Sequence, residues 1–223
     1  MAEGAPLLIL GAGAHGGVVR DCVDERRFRF IGYLDDRPPD PLSSARSELL
    51  LGKVDDLPAL LRDYPGTMAV IAIGDNMTRL RMAERAERLV PSLTWATIVH
   101  PAAILSARAE IGPGTVVVAG SIINCGSRLG RHILINTGTI IDHDNSMDDF
   151  ASTGPGVVTG GNVRIGGLSH VGIGASVRHG IRIGRNCVIG GQAYVERDVD
   201  DDWVSFGIPA RPRYRRTPGQ PYL

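Results

Sequence analysis

From Ile111 onward the same kind of side chain returns at every sixth position: Ile111, Val117, Ile123, Leu129, Ile135, Ile141, Met147, Thr153, Thr159, Ile165, Val171, Val177, Ile183, Ile189 and Val195. Thirteen of these fifteen residues are aliphatic and two are threonine; stepping back adds Leu105 and Val99. Glycine follows the repeating residue at 112, 130, 154, 160, 166, 172, 184 and 190, with Asn or Asp at four more positions. Small residues recur three places later, at Thr115, Ser121, Ser127, Thr139, Ala151, Ser169, Ala175 and Ala193. A sustained six-residue period is the signature of a parallel β-helix. Each hexad makes one short flat face and one corner, and three faces close a triangular coil of 18 residues. The aliphatic residue points inward. The Gly or Asn after it is expected to take the corner conformations that β-branched residues resist. No insertion breaks the register, so no long loop leaves the coil.

The preceding residues have another character. Residues 1–98 hold 14 Leu and 5 Ile, whereas residues 99–223 hold 5 Leu and 14 Ile. Leucine suits helices and β-branched residues suit strands. The chain is therefore read as an α/β Rossmann-like domain over 1–98 and an all-β domain over 99–223, with the boundary near Val99-His100-Pro101. In the first domain Leu7–Leu10, Phe30–Leu34 and Met68–Ile73 read as strands, the second ending at Asp35-Asp36-Arg37-Pro38-Pro39. A helix is expected to begin over Val18–Asp24, a short one over residues 54–63, and a charged amphipathic one over Met77–Leu89.

Formal net charge is zero, which argues against nucleic acid as the main partner. The apolar runs are short (Leu7–Leu10, Val116–Ala119), far below the ~20 residues that span a bilayer. The N-terminus lacks the basic region and long apolar core of a signal peptide, so the expected setting is cytoplasmic and away from membranes. Cys22, Cys125 and Cys187 are far apart without CxxC spacing, and read as buried thiols rather than disulfides or a zinc site.

Two segments carry chemistry. Gly11-Ala12-Gly13-Ala14-His15-Gly16 is a GxGxxG between a strand and a helix, where backbone N–H groups can approach a phosphate. Asp35 or Asp36, about twenty residues on, could take a ribose or base. The domain is about half a full dinucleotide fold and His15 crowds the turn, so a mononucleotide ligand is favoured over NAD. The second segment, Ile141-Asp142-His143-Asp144-Asn145, sets a histidine between two carboxylates on the coil surface. Histidine titrates near neutrality and a flanking carboxylate raises its basicity. Asp142, Asp144, Ser146 and Asp148 mimic a calcium loop, but Met147 and Thr153 stand where that loop needs Gly and Glu, so no metal is expected.

Stacking by 18 places Cys125, His143, Gly161, His179 and Arg197 in one column, with Gly161 leaving a notch beside the imidazole. Thr137, Pro155, Ile173 and Gly191 form a second column. His170 and His179 read as surface residues, and His100 as structural. Trp203–Arg211 closes the last coil, and Arg211, Arg213, Arg215 and Arg216 read either as a solvated tail or as charge near a phosphorylated cofactor. No nucleophile for covalent catalysis is visible.

The segments GAGAHG (11–16), GYLDD (32–36), IAIGDN (71–76), VHP (99–101), INTGTIIDHD (135–144), GGNVRIG (160–166) and FGIPA (206–210) span nearly the whole chain. Together they resemble the bacterial sugar acyltransferases of the sialic acid O-acetyltransferase and UDP-4-amino-sugar N-acetyltransferase type, including those of bacillosamine and perosamine synthesis. The resemblance implies a left-handed β-helix, a homotrimer, a nucleotide-activated amino sugar as substrate, and acetyl-CoA as co-substrate in the groove between neighbouring β-helices. It implies His143 as general base, tuned by Asp144. It places Gly13, Ala14, His15, Asp35, Asp36 and Gly74 at the nucleotide sugar, and Gly161, Ile173 and Gly191 at acetyl-CoA. Ser152 stands where many members have a histidine expected near the acetyl carbonyl; a hydroxyl can donate there but carries no charge. The implied reaction is direct acetyl transfer to a sugar 4-amino group. The alternatives are O-acetylation of a sialic-acid-like sugar and a non-catalytic nucleotide-binding scaffold trimerised by its β-helix.

Overall fold

The computed structural model describes residues 4–37 and 49–222; Pro38 and Pro39 lie outside the described residues. The chain begins as alternating strands and helices: β1 (Ala5–Leu10), α1 (Ala14–Asp21), β2 (Phe28–Leu34), β3 (Leu50–Gly52), α2 (Leu57–Asp63, entered through a 3₁₀ turn at Val54–Asp56), β4 (Met68–Ile71), α3 (Asn76–Leu89) and β5 (Thr94–Trp95). The five strands form one parallel sheet in the order β3-β2-β1-β4-β5. Leu7, Leu8, Ile9 and Leu10 on the central strand are fully buried, as a parallel sheet covered on both faces requires. Helix α1 starts earlier than expected, at Ala14, because the glycine turn leads directly into it. β3 and β5 escaped the sequence reading because three and two residues are too few to show a period.

Beyond Trp95 the backbone makes two-residue strands every six residues, from Ile98–Val99 to Tyr194–Val195. They stack in parallel at a register of 18, for example Val116↔Leu134 and Ile122↔Ile140. Three faces result. The first carries Ile98, Val116, Leu134, Ser152, His170 and Val188 pointing outward; the second carries Ile104, Ile122, Ile140, Val158, Ser176 and Tyr194; the third carries Glu110, Arg128, Ser146, Arg164 and Arg182. Fourteen of the fifteen repeating residues are buried, Ile111 being half-buried, and their side chains make one continuous core down the axis.

The corner conformation is not where the glycine pattern suggested. The left-handed backbone falls three residues after each inward side chain, at every sixth position from Gly114 to Gln192, with φ between +53° and +74°. Half of those positions are not glycine: His132, Asp144, Phe150, Asn162, Leu168, Asn186 and Gln192. The glycines immediately after the inward residue serve stacking instead. A β-carbon on Gly112 would lie 2.5 Å from the Gly130 carbonyl oxygen, and one on Gly154 would lie 2.6 Å from the Ile173 nitrogen.

The N-terminal sheet is seated on the first face and its edge. Val116, Val118 and Leu134 share an apolar cluster with Leu7, Ile9 and Val70, while Phe150 and Leu168 share another with Leu8, Leu10 and Ala83. The arginine-rich C-terminus is not a free tail. Trp203–Phe206 adds to the first face in parallel and Arg211–Arg215 pairs with it antiparallel. Arg213 lies over the Phe206 ring and Arg215 over Trp203 (4.8 and 5.2 Å), and Arg216 is buried. Cys22 and Cys187 are buried and Cys125 is half-buried.

Candidate functional site

The glycine turn and the end of β4 enclose a cleft of about 670 Å³ that brings together Gly13, Ala14, His15, Asp35, Asp36 and Gly74. Gly11 takes φ +110°, and a β-carbon on Gly16 would strike the Gly11 carbonyl oxygen at 2.5 Å, so both glycines are needed for the tight strand-to-helix turn. Gly13 caps α1 without a side-chain acceptor, and a β-carbon there would meet open space, so the first N–H groups of the helix are left for an incoming anion. Burial, aided by the charge of Arg79, lowers the His15 pKa to about 4. Its imidazole is neutral at pH 7 and offers hydrogen bonds rather than charge. The two carboxylates are partly engaged. Asp35 accepts from the Ala12 N–H at 2.8 Å and from the Arg37 N–H at 2.9 Å. Asp36 pairs with Arg85, which also holds Asp55 at 2.8 Å; the Arg85 bond keeps the Asp36 carboxyl below its usual range.

Helix α3 ties this cleft to the β-helix. Asp75 caps it by accepting from the Thr78 N–H at 2.8 Å. Asn76 donates to the carbonyls of Leu168 and Ser169 at 3.0 and 3.1 Å. The buried Arg79 guanidinium donates to the carbonyls of Ile73 and Gly74, which belong to cleft residues, and to those of His132 and Phe150 on the β-helix, all within 3.0 Å. Arg79 went unnoticed in the sequence, but its spacing marks it: Asn76, Arg79, Ala83 and Ala86 form the buried stripe of α3.

The second group of residues sits where the second and third faces of the coil meet. His143 Nδ1 lies 2.8 Å from Asp144 Oδ2, and both side chains are about half exposed. Asp144 takes the left-handed corner conformation, φ +57°, that turns its carboxylate back to the preceding ring. A carboxylate only accepts, so Nδ1 carries the proton and Nε2 the lone pair. The Asp144 hydrogen bond, helped by the charge of Asp142, raises the His143 pKa. Asp142 is fixed in turn, accepting from Asn124 Nδ2 at 2.9 Å and from the His143 N–H at 2.8 Å.

The coils on either side leave room for this pair. A β-carbon on Gly161 would lie 2.5 Å from both Cε1 and Nε2 of His143, and one on Gly126 would lie 2.3 Å from Asp144 Oδ1. Gly126 and the buried Asn145, whose amide donates to the Asp142 and Gly160 carbonyls, were missed in the sequence. The 18-residue column finds the first of them directly, since 126 precedes 144 by one coil. Gly161→Ala is therefore expected to push the ring off Asp144 with the coil intact. In NMR titration His143 should then lose its proton at lower pH than in the parent chain; an unmoved titration would contradict this arrangement.

The remaining expected residues lie elsewhere on the coil. Ile173 and Gly191 stack at the corner between the first and second faces, Ile173 being 58% exposed. Ser152 is on the first face, buried, with its hydroxyl 2.8 Å from His170 Nδ1. His170 is not the free surface residue its sequence suggested. It stacks on Tyr222 at 4.7 Å, and burial lowers its pKa to about 4. His179 is exposed, as expected; His100 accepts from the Ala102 N–H at 2.9 Å within a turn. The cleft is lined by residues of the N-terminal domain, whereas His143 and the Ile173–Gly191 pair stand on two different corners of the coil.

Residues 6–86 match the PglD N-terminal domain family. The chain is 36% identical over 112 residues to UDP-N-acetylbacillosamine N-acetyltransferase of Bacillus subtilis (strain 168), a stretch covering 50% of each. It thus spans about half the length of the curated relatives it matches. Its fold superposes on the acetyltransferase domain of PglB from Neisseria gonorrhoeae FA1090, in complex with acetyl coenzyme A, with TM-score 0.84 and 30% identity over 94% of this chain and 100% of that one. It also superposes on PerB from Caulobacter crescentus, in complex with CoA and GDP-perosamine, with TM-score 0.82 and 29% identity over 94% and 97%. With the matching N-terminal domain, the parallel coil and these likenesses, this chain belongs to the sugar N-acetyltransferase family that joins a PglD-type N-terminal domain to a left-handed β-helix.

Proposed function

We propose that this chain transfers an acetyl group from acetyl-CoA to the 4-amino group of a nucleotide-linked deoxyamino sugar. The observation that carries the reading is the His143–Asp144 pair with Nε2 set against the Gly161 notch. The nucleotide end of the acceptor enters the cleft lined by Gly13, Ala14, His15, Asp35, Asp36 and Gly74, its phosphates toward the start of α1. The acetyl donor passes through the notch, with Gly161, Ile173 and Gly191 along its path. The amine nitrogen attacks the thioester carbonyl carbon and gives its proton to His143 Nε2. The tetrahedral intermediate collapses with cleavage of the C–S bond. The departing thiolate takes the proton back from His143, leaving an amide and free CoA. Much of the rate comes from holding two reactants together, and no acyl-enzyme is needed.

A homotrimer completes the site in this reading. The second face presents Ile104, Ile122, Ile140 and Val158 outward in a column, with Ile104 63% and Val158 40% exposed. Apolar columns of this kind are covered by partner chains. Packing second faces together brings the His143 corner of one copy toward the Ile173–Gly191 corner of the next. Ser152 is held by His170 in the structure, and its part would be to orient the donor from the first face.

Release of free CoA, read with a thiol reagent, tests the reaction against UDP-, GDP- and dTDP-linked 4-amino sugars and against free sialic acids. Acetyl transfer to one or more nucleotide amino sugars is the expected result. Transfer to the sialic acid hydroxyl alone would replace this reading with O-acetylation. Tight nucleotide binding with no CoA release from any acceptor would leave a scaffold.

A further inference from the structure

The last described residues return to the start of α3. The Arg216 N–H bonds to the Asp202 carbonyl at 2.8 Å, and the chain then turns away from the coil. Thr217-Pro218-Gly219-Gln220 makes a tight turn, closed by the Gln220 N–H on the Thr217 carbonyl at 3.1 Å. Proline followed by glycine is the pairing that such a turn favours, and Gly219 takes φ +83°. The turn rests against α3: a β-carbon on Gly219 would lie 3.3 Å from an Arg81 nitrogen and 3.7 Å from Met77 Cγ. The buried Arg216 holds the turn from the other side by donating to the Gln220 carbonyl.

Tyr222 is thereby gripped by three residues. Its ring stacks on His170 at 4.7 Å and lies under the Arg216 guanidinium at 5.1 Å. The His170 ring is fixed in turn by the Ser152 hydroxyl at 2.8 Å. The Tyr222 hydroxyl oxygen accepts from the Asn76 N–H at 2.9 Å, 146 residues away in the chain. Asn76 is the first residue of α3 and is 1% exposed. The first N–H groups of a helix have no carbonyl partner within it, so a buried one needs an acceptor from elsewhere. Asp75 serves the Thr78 N–H, and Tyr222 serves that of Asn76. The two residues before Asn76 are Gly74 and Asp75, which line the nucleotide cleft. Their turn is therefore held at both ends, by Arg79 on the Gly74 carbonyl at 2.9 Å and by Tyr222 on the Asn76 N–H.

We propose that Tyr222 is a positioning residue for the nucleotide-sugar acceptor: its hydroxyl fixes the start of α3 and with it the Gly74–Asp75 wall of the cleft. This inference rests on the nucleotide-sugar reading of that cleft given above. Tyr222 is not among the residues lining the cleft, so its effect passes through Asn76. Without the oxygen, the Asn76 N–H must find water or another acceptor, and the turn before it shifts.

Calorimetric titration of the full chain with UDP-, GDP- and dTDP-linked 4-amino sugars, and separately with CoA, tests this on Tyr222→Phe. The substitution keeps the ring between His170 and Arg216 and removes only the oxygen. The nucleotide sugar that binds the parent chain most tightly should bind the variant about three- to tenfold more weakly, the net worth of one hydrogen bond. CoA affinity should stay at its parent value. In steady-state kinetics the KM for the sugar should rise while kcat and the KM for acetyl-CoA hold. A tyrosine that only stiffens the fold would lower the midpoint of thermal unfolding and leave both affinities alone, which overturns the positioning role. A parallel loss of both affinities overturns it as well, because it marks a general loosening. Either outcome leaves the nucleotide-sugar reading standing. A parent chain that binds none of the three nucleotide sugars overturns that reading and this inference with it.

Discussion

Replacing His143 by alanine is expected to lower turnover by roughly 10²–10⁴-fold, the usual contribution of a general base, if the proposed reaction holds, with CoA binding near its parent value. The geometry dictates both halves of this result. The Asp144 hydrogen bond takes Nδ1 of His143 and leaves Nε2 as the ring's acceptor nitrogen on the opposite side. In the proposed reaction the donor rests on the Gly161 notch and on groups along the coil, which the substitution leaves in place. The pH dependence gives a finer test. The Asp144 hydrogen bond raises the His143 pKa, and in the proposed role the imidazole would work only when deprotonated. The acid limb of kcat/KM therefore lies at higher pH in the parent chain than it would without that bond. Asp144→Asn removes the charge and keeps an acceptor for Nδ1–H, so the limb should move to lower pH, with turnover on the alkaline side reduced by the weaker base. Unchanged turnover in His143→Ala, or a limb that moves upward in Asp144→Asn, would rule out His143 as the base.

Where the sequence was legible, the reason is periodicity. A side chain that must point into a narrow triangular core every six residues leaves a record that no loop interrupts, and Val117 through Val195 all fill that core. The same period put His143 beneath Gly161, because stacking at 18 is a consequence of the coil. The corners were misread because glycine has two uses here. It relieves the left-handed backbone at Gly114, Gly126 and Gly138, and it relieves coil-to-coil contact at Gly112, Gly154 and Gly172. Composition alone does not separate the two. The strand Arg211–Arg215 was hidden because its apolar partners, Phe206 and Trp203, lie across the hairpin and not in its own sequence. His170 was misjudged for a related reason. What covers it is Tyr222, fifty-two positions later in the chain.

Long-range contacts of another kind converge on Arg79, whose replacement carries the largest expected effect on stability. Its guanidinium is buried and faces carbonyl oxygens rather than a carboxylate: Ile73, Gly74, His132 and Phe150, together with the amide oxygen of Asn76. Burial lowers its pKa to about 10, so it stays charged at pH 7 and all its donors remain in use. Arg79→Met keeps much of the volume and removes every donor. Several buried acceptors then lose their partner at once, each at about 1–3 kcal/mol before water enters to compensate, so a loss of roughly 3–5 kcal/mol is expected. Arg79→Lys should recover little of it, because one ammonium cannot reach oxygens contributed by both domains. Chemical denaturation gives the stability, and titration with a nucleotide amino sugar gives a second reading. Ile73 and Gly74 line the cleft, so their release should weaken nucleotide binding even in molecules that remain folded. If Arg79→Met unfolds at the parent midpoint, the carbonyls are satisfied without it and the guanidinium is not what joins the two domains. If stability falls but nucleotide affinity holds, Arg79 fastens the domains together without shaping the cleft.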